Sequence, residues 1–332
     1  MQPDPLGYTL PLSQRTVVYP LGYPAEIFSN NPRVTEAAYE SWGLFDKQFD
    51  TSPLRIHVII GEGALPASPP SFTAQGHLLS ILCDRDNFAV CDLDSAFSFC
   101  RLSSATALDR PWMRYHFLEA IAYVTLTHQH LSPVHAACVA RNGRGVLLSA
   151  PSGTGKTVLS YSLARRGWTF VSDDVSFLIR SSSNLEVLGK PHEFRFDAYA
   201  RKLFPELEGN LIVRDVKGQL LVERSARDLK TATRCRVDHL VFLDRTASGP
   251  ARLDPCGANT ALERLLRETP RYMDRVNQEQ RSSFELLLSA QVHTLHYSAW
   301  EQAVPLLPPP ARSPASPPNP PRSAPPNLRR CR

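Results

Sequence analysis

A glycine-rich loop is the strongest chemical signal in the sequence. Residues 150–157 read APSGTGKT and lie between an apolar run and an amphipathic segment. Glycines let the backbone curl so that several N–H groups point inward, and the N-terminus of a following helix adds positive potential. We therefore predict that this loop binds the phosphates of a nucleoside triphosphate. The residues expected to hold them are Ser152, Gly153, Thr154, Gly155, Lys156 and Thr157.

Two residues of the loop have distinct predicted roles. Lys156 would neutralise the β and γ phosphates, and the Thr157 hydroxyl would ligate Mg²⁺. Ala150 stands where the motif usually begins with glycine. The alternative is a chance glycine-rich turn before a helix, but the strand–loop–helix context favours phosphate binding.

Two adjacent carboxylates form the second signal. Asp173 and Asp174 follow the apolar run 169–172, which we expect to form the strand beside the loop strand. One carboxylate could hold Mg²⁺ through its hydration shell, and the other could accept a proton from an attacking hydroxyl. The alternative is that the pair caps a turn before Val175, because aspartate is common in turns.

Two weaker candidates flank these motifs. His135 lies at the start of the strand that should pair with the loop strand, where a lone histidine is either structural or functional. The polar and aromatic segment 190–202 could line a substrate groove, with an arginine that contacts the γ-phosphate in the transition state. The alternative is a solvated strand end and helix face.

The elements around the loop follow from short-range patterns. The apolar runs 134–140 and 145–150 flank Asn142-Gly143, a pair that favours a tight hairpin. The apolar face of 156–166 predicts a helix that ends at Gly167. Further predicted elements are strands at 169–172, 175–180, 185–188, 237–243 and 292–297, and helices near 260–268 and 279–290.

The rest of the chain supports a division into three parts. Residues 1–130 are strand-rich and end in a predicted helix over 111–130, residues 131–303 contain the loop, and residues 304–332 form a Pro/Arg-rich tail. The tail holds 11 of the 29 prolines, a composition that cannot bury apolar surface, so we predict disorder there. A PxxP ligand for an aromatic groove is the alternative.

Composition excludes several classes of function. The net charge is +5, but the tail carries five arginines and no acidic residue, so residues 1–303 are formally neutral. We therefore expect no nucleic-acid partner and no membrane surface. The seven cysteines include no CxxC pair, which argues against zinc and disulfides. Without a signal peptide or a membrane span, the protein is expected to be cytoplasmic.

Four elements together resemble the catalytic core of the HPr serine kinase/phosphorylase family, which includes kinases of lasso-peptide gene clusters. They are His135-Ala136-Ala137, the loop 152–157, Arg166-Gly167-Trp168 and Ser172-Asp173-Asp174. They occur in the family's order and at similar spacing. The resemblance covers residues 135–180 and extends weakly to 245.

The resemblance implies a fold and a set of roles. The fold would be α/β, with a P-loop kinase core similar to phosphoenolpyruvate carboxykinase and a strand-rich N-terminal part. ATP and Mg²⁺ would be the cofactors. Asp173 would be the catalytic base and Asp174 a magnesium-shell ligand, although the two roles could be reversed. His135 would approach the phosphates or order the two aspartates.

The sequence also departs from the family. Val158 follows Thr157 where the family often has glutamate, which removes one carboxylate from the metal's surroundings. The Gly-Arg-Asn-like signature associated with phosphorylase activity and HPr recognition is missing. We therefore do not expect the phosphorylase reaction or HPr as the substrate.

The leading hypothesis is an ATP-dependent kinase that transfers the γ-phosphoryl group to a hydroxyl, expected to be a serine of a small protein or peptide. The alternatives are an ATP-binding regulatory module without phosphotransfer and a small-molecule kinase. Residues 1–130 could recognise the substrate, or they could widen the core and form the interface of a homo-oligomer. The sequence leaves these alternatives open.

Overall fold

The structure is a computed structural model that describes residues 11–182, 184–210, 212–214, 220–270 and 273–308. It is a mixed α/β structure with several sheets, in agreement with the predicted class. None of the described helices has the length and apolarity needed to cross a bilayer.

Strands dominate the N-terminal part. They are β1 (Gln14–Val18), β2 (Ala25–Ser29), β3 (Leu54–Gly61), β4 (Ser71–Gln75), β5 (Leu78–Asp84), β6 (Asn87–Asp92) and β7 (Phe97–Ser103). Among the described residues these form one sheet, the N-terminal sheet, in the order β1-β2-β3-β7-β6-β5-β4. Strands β2, β3 and β7 pair in parallel, and β4–β7 form an antiparallel meander.

Helices pack against this sheet, and several of them connect its last strand, β7, to the rest of the chain. They are α1 (Pro32–Trp42), α2 (Ser104–Leu108), α3 (Arg110–Met113), a π-helical turn (Arg114–Glu119) and α4 (Ala120–Gln129). The Asn31 side chain caps α1 by accepting a hydrogen bond from the Arg33 amide. The helix predicted over 111–130 is present, but it is interrupted by the π-helical turn.

The second sheet carries the glycine-rich loop. The remaining strands are β8 (Leu131–Val134), β9 (Ala136–Arg141), β10 (Arg144–Ser149), β11 (Thr169–Ser172), β12 (Ser176–Ile179), β13 (Glu186–Leu188), β14 (Glu193–Asp197), β15 (Ile212–Arg214), β16 (Leu220–Ser225), β17 (Arg234–Arg245), β18 (Arg252–Pro255) and β19 (Gln291–Tyr297). The order β11-β9-β10-β17-β13-β12-β8, with β19 and β18 beside β17, defines the loop-bearing sheet. Strands β14, β16 and β15 form a separate small sheet.

Strand β17 lies at the centre of the loop-bearing sheet. One edge pairs in parallel with β10. Its other edge is shared, because β13 pairs antiparallel with its first residues and β19 pairs in parallel with the rest. The predicted central strand 237–243 is therefore confirmed, and so is the 292–297 strand.

Helices cover both faces of this sheet. Helix α5 (Lys156–Arg165) packs on one face through Leu159 and Leu163. Helices α7 (Ala258–Arg267) and α8 (Asp274–Leu287) cover the other face. The short helices α6 (Ala200–Leu203) and α9 (Trp300–Ala303) and 3₁₀ turns at Pro20–Gly22, Pro205–Leu207 and Val304–Leu306 complete the described elements.

The two sheets share a hydrophobic core. The buried cluster of the N-terminal sheet and helices α1 and α4 also contains Phe177, Ile179 and Leu188 from β12 and β13. The Arg180 guanidinium adds hydrogen bonds to carbonyl oxygens of Thr127 and His128 at the end of α4. Parts of the chain that are distant in sequence are therefore packed together.

The C-terminal boundary differs from the prediction. The predicted tail begins at residue 304, but Val304 and Leu307 are buried against the face of the sheet that α5 covers. Their apolar side chains are close enough to the sheet to join its core before the proline-rich stretch begins. Residues 309–332 of the predicted tail lie outside the described residues.

Candidate functional site

The glycine-rich loop connects the end of β10 to the start of α5. Gly153 and Gly155 have φ values of +81° and +116°, which side-chain-bearing residues rarely adopt. The Tyr297 hydroxyl, at the end of β19, donates a hydrogen bond to the Thr154 carbonyl oxygen over 2.5 Å. A Cβ atom at Gly155 would lie 2.7 Å from that hydroxyl oxygen. The loop therefore needs glycine here both for its conformation and for the close approach of Tyr297.

The other loop residues differ in their exposure. Ser152 and Gly153 are exposed, while Thr157 is half-buried at the first turn of α5. Ala150, where the motif usually has glycine, is 2% exposed and belongs to the core beneath α5. Its side chain fills that core, and its φ is not positive. Alanine is therefore compatible with this loop.

Lys156 is buried, with its ammonium group surrounded by acceptors. The Nζ atom lies 2.8 Å from the Ala150 carbonyl oxygen and 2.8 Å from His135 Nε2. It is also 3.5 Å from Asp174 Oδ1. Burial lowers the pKa of Lys156, and the nearby carboxylates offset only part of this effect.

Asp174 and His135 meet beside this lysine. His135 Nε2 lies 3.0 Å from Asp174 Oδ1. Burial raises the pKa of Asp174, but His135 and Lys156 lower it by more, so its pKa lies below the usual 3.8. Asp174 is therefore the carboxylate of the pair that is fully ionised at neutral pH.

Asp173 has a different environment. Its Oδ2 accepts a hydrogen bond from the Arg195 backbone N–H over 3.0 Å, while its buried Oδ1 has no hydrogen-bond partner within the described residues. Burial raises the pKa of Asp173 to about 7, and the Arg195 amide and Thr157 hydroxyl offset only part of this rise. Two adjacent carboxylates thus differ strongly in basicity, as residues with separate acid–base tasks do.

One predicted feature of the sheet is wrong. The strand that ends before Asp173 was expected to lie beside the loop strand, but β9 lies between β11 and β10. The tight turn at Asn142 and Gly143 folds β9 directly against β10, as predicted, and so displaces β11 by one strand. Because His135 precedes β9, it lies between the loop and the two aspartates.

The 190–202 segment is tied to the N-terminal part through its first residue. The Lys190 ammonium is 2.9 Å from Glu119 in the π-helical turn and 4.8 Å from the centre of the Tyr123 ring. Burial raises the pKa of Glu119, but Lys190 and Arg114 bring it down to about 2. The segment is therefore not a simple solvated face at this point, and no sequence pattern predicts this pair.

Arg195 is the arginine of this segment that contacts Asp173, and it does so through its backbone N–H. Its guanidinium, however, is 2.6 Å from Glu193 and 3.9 Å from Glu223. The side chain is therefore neutralised by neighbouring carboxylates of the small sheet.

Three charged residues near the loop were missed from the sequence. Glu268 Oε2, at the end of α7, is 3.4 Å from His135 Nδ1. Asp244, near the end of β17, is 2.6 Å from Arg264 of α7. Asp244 follows an apolar strand, a local signal that could have been used, whereas Glu268 reaches the site only through tertiary packing.

Two cavities adjoin these residues. A cavity of about 410 Å³ lies beside the loop and is lined by Ser149–Pro151, Phe242, Asp244 and residues of α7. A second cavity of about 290 Å³ is mainly apolar and is lined by residues of α4, β8 and β12 together with His135. Glu268 lines both cavities, whereas His135 lines only the apolar one.

Mg²⁺ could be held only by a small number of side chains at this site. Within the described residues there is no group of three or more histidine, cysteine, aspartate and glutamate side chains that could hold a metal ion. Mg²⁺ usually needs only one or two protein carboxylates when phosphates supply further ligands. The ionised Asp174, the unpartnered Asp173 Oδ1 and the Thr157 hydroxyl are consistent with that mode of binding.

The chain is similar to one protein family and to solved structures over part of its length. A family model described as SynChlorMet cassette protein ScmC matches residues 98–191, which include His135, the loop and both aspartates. No curated protein matches the chain. One similar solved structure is the HPr(Ser) kinase/phosphatase from Coxiella burnetii, with 16% identity and a TM-score of 0.26. That match covers 50% of this chain and 79% of the other.

Proposed function

We propose that this protein is an ATP-dependent kinase with a P-loop core, which transfers the γ-phosphoryl group to a hydroxyl. The acceptor is a serine of a small protein or peptide, and the reaction takes place in the cytoplasm. The observation that carries the proposal is the pair of adjacent carboxylates beside a glycine-rich loop, one ionised and one with a pKa of about 7.

The loop and the start of α5 would bind the phosphates. The positive φ angles at Gly153 and Gly155 would allow backbone N–H groups to point toward the phosphates, and the helix N-terminus would add positive potential. The buried ammonium group of Lys156 supplies the charge that stabilises the transferring phosphoryl group. Thr157 and Asp174 would hold Mg²⁺, which neutralises phosphate charge when bound.

Asp173 is the proposed general base. A base with a pKa of about 7 combines a large ionised fraction at neutral pH with enough basicity to accept the proton of the acceptor hydroxyl. The hydrogen bond from the Arg195 amide holds Oδ2 in place, and the buried Oδ1 has no hydrogen-bond partner among the described residues. The acceptor oxygen would then attack the γ-phosphorus in line with the leaving oxygen.

The decisive experiment is transfer from γ-labelled ATP, with Mg²⁺, into a protein extract of the source organism. Wild type is compared with Lys156→Ala and Asp173→Asn, and with Asp46→Asn as a control at an exposed aspartate far from the loop in sequence. Label should appear on a small protein or peptide with wild type and Asp46→Asn only. Equal labelling by all four proteins, or none by wild type, would contradict the proposal.

The second candidate is a nucleotide-gated binding module without transfer. It is favoured by Val158, which packs against the aromatic cluster around Tyr161 where the resembled family often has a carboxylate. Such a module would bind ATP and label nothing in the same experiment. A small-molecule kinase would instead label a product that is neither protein nor peptide.

A further inference from the structure

The apolar cavity is bounded by side chains from both parts of the chain. Tyr123 and Val124 of α4 line one side, and Val175 and Phe177 line the other. Tyr123, Val124 and Val175 are only half-buried, which leaves apolar surface accessible. The cavity has a volume of about 290 Å³, and a cavity of about 150 Å³ is enough to bind benzene in an engineered protein. It therefore has room for the side chain of a leucine or a phenylalanine.

The two aromatic rings that line the cavity are held in place by neighbouring groups. Trp42 Nε1–H donates a hydrogen bond to the Tyr123 hydroxyl over 3.1 Å, and the Lys190 ammonium is 4.8 Å from the centre of the Tyr123 ring. The Phe177 ring is 5.6 Å from that of Tyr123 and belongs to the core shared by the two sheets. These walls are therefore formed before a ligand arrives, which reduces the entropic cost of binding.

The cavity borders the groups proposed to carry out transfer. Val175 directly follows Asp173 and Asp174 in the chain. His135 also lines the cavity, and its Nε2 is 3.0 Å from Asp174 Oδ1. In an in-line transfer the acceptor oxygen and the leaving oxygen lie on opposite sides of the γ-phosphorus, so the general base lies on the acceptor's side. A ligand in this cavity would therefore be part of the acceptor and not of the nucleotide.

The lining defines the chemistry of the occupant. Apart from Glu268 and His135, which contact each other over 3.4 Å, every described residue that lines the cavity is uncharged. A charged side chain would lose its hydration there without a matching partner. We propose that the cavity binds an aromatic or large aliphatic side chain of the acceptor, next to the hydroxyl that receives the phosphoryl group. The inference rests on the proposed function, and it assigns α4 of the N-terminal part to recognition of the acceptor.

Binding of an apolar side chain can be measured without nucleotide and without transfer. The probes are N-acetyl-leucinamide and N-acetyl-asparaginamide, whose side chains are similar in shape but differ in polarity. Methyl NMR spectra follow the Val175 signals during each titration, and these signals are assigned by their loss in Val175→Ala. Adenosine is titrated as a third ligand, to test whether the cavity belongs to the nucleotide site.

We expect the leucine probe to shift the Val175 signals and to bind about 10- to 100-fold more tightly than the asparagine probe, because it buries an apolar side chain. Adenosine should leave these signals unchanged. Equal affinities of the two amides, or no shift with either one, would overturn the inference. A shift with adenosine would also overturn it, because the cavity would then bind the nucleotide base.

Two substitutions at Val124 test the wall that α4 supplies. Val124→Trp would fill much of the cavity and should abolish the shift of the Val175 signals, whereas Val90→Trp, at an exposed valine of β6, should not. Val124→Thr keeps the branched shape but replaces one methyl group by a hydroxyl, so it should weaken binding of the leucine probe about fourfold. If the spectrum of Val124→Trp shows an unfolded protein, Val124→Thr decides. Unchanged affinity in Val124→Thr would contradict the inference.

Transfer gives a second readout. The serine labelled in the extract is mapped, and a peptide containing it is compared with one in which the neighbouring apolar residue is replaced by asparagine. We expect Val124→Trp to raise the KM for the native peptide at least about tenfold with ATP binding unchanged, and Val90→Trp to have no effect. A labelled serine with no aromatic or large aliphatic neighbour would overturn the inference. Absence of transfer in wild type would contradict the proposed function, while the probe titrations, recorded without nucleotide, still decide whether the cavity binds an apolar side chain.

Discussion

Replacement of Asp173 by asparagine should stabilise the fold at alkaline pH while it abolishes phosphotransfer. Burial raises the pKa of this carboxyl from 3.8 to about 7, so the folded state resists its ionisation. Between these two pH values the folded state binds more protons than the unfolded state. The stability of the wild type therefore falls as pH rises through this window and is level above it.

The size of the effect follows from the pKa and from the hydrogen bonds. The rise in pKa corresponds to about 4 kcal/mol, at about 1.4 kcal/mol for each pH unit. Asparagine keeps an oxygen for the Arg195 amide, but its NH₂ group would replace the buried Oδ1 that has no partner among the described residues. An unsatisfied buried donor costs about 1–3 kcal/mol, so a net gain of about 1–3 kcal/mol remains at high pH.

The assay is urea unfolding of wild type and Asp173→Asn, without nucleotide and with a chelator to remove metal ions. Between about pH 5 and pH 8.5 the wild type should lose about 2–3 kcal/mol relative to the variant. Asp46→Asn serves as the control and should follow the wild type. A stability difference between wild type and Asp173→Asn that does not change with pH would refute the electrostatic reasoning.

Three further substitutions, and a fourth that serves as a control, test the loop and the sheet. Gly155→Ala should weaken ATP binding at least tenfold, read by calorimetry, because its φ of +116° is strained and its methyl group would meet the Tyr297 hydroxyl. Tyr297→Phe should cost about 1 kcal/mol of stability and loosen the loop, and unchanged hydrogen exchange in the loop would contradict this. Gly145→Ala should cost about 1–3 kcal/mol, because its methyl group would lie 2.6 Å from Cys235 Sγ. Gly257→Ala, where nothing lies within 4 Å, should cost less than about 1 kcal/mol, and equal losses for the two glycines would show that packing is not the cause.

Local chemistry explains which parts of the fold could be predicted. The Asn142-Gly143 turn requires positive φ at both residues, and both have it. The helix from Lys156 ends before Gly167, which also has positive φ. These features depend on neighbouring residues in the sequence, so single-sequence reasoning was sufficient.

Strand order and distant contacts could not be predicted in the same way. The order of β11, β9 and β10 depends on a hairpin that competes with the pairing of more distant strands. The contact between Glu119 and Lys190 joins residues 71 positions apart in the chain. Nothing in the flanking residues of either one identifies its partner, because the pair is set by how the two sheets pack.

The candidate site also contains residues that the sequence predicts and one that only tertiary packing brings there. Lys156, Asp173, Asp174 and His135 were each selected from type and spacing, and the fold brings them together. Glu268 was not selected, since a glutamate at the end of a surface helix has no distinctive pattern. Its proximity to His135 depends on the packing of α7 beneath the sheet.

The core shared by the two sheets has a consequence for how the protein is made. Chains leave the ribosome from the N-terminus, and domains generally fold as they emerge. The N-terminal sheet, however, completes its core only with Phe177, Ile179 and Leu188, which are synthesised later. During that interval an apolar face is uncovered, so nascent chains should bind chaperones, and translation products that stop near residue 130 should aggregate.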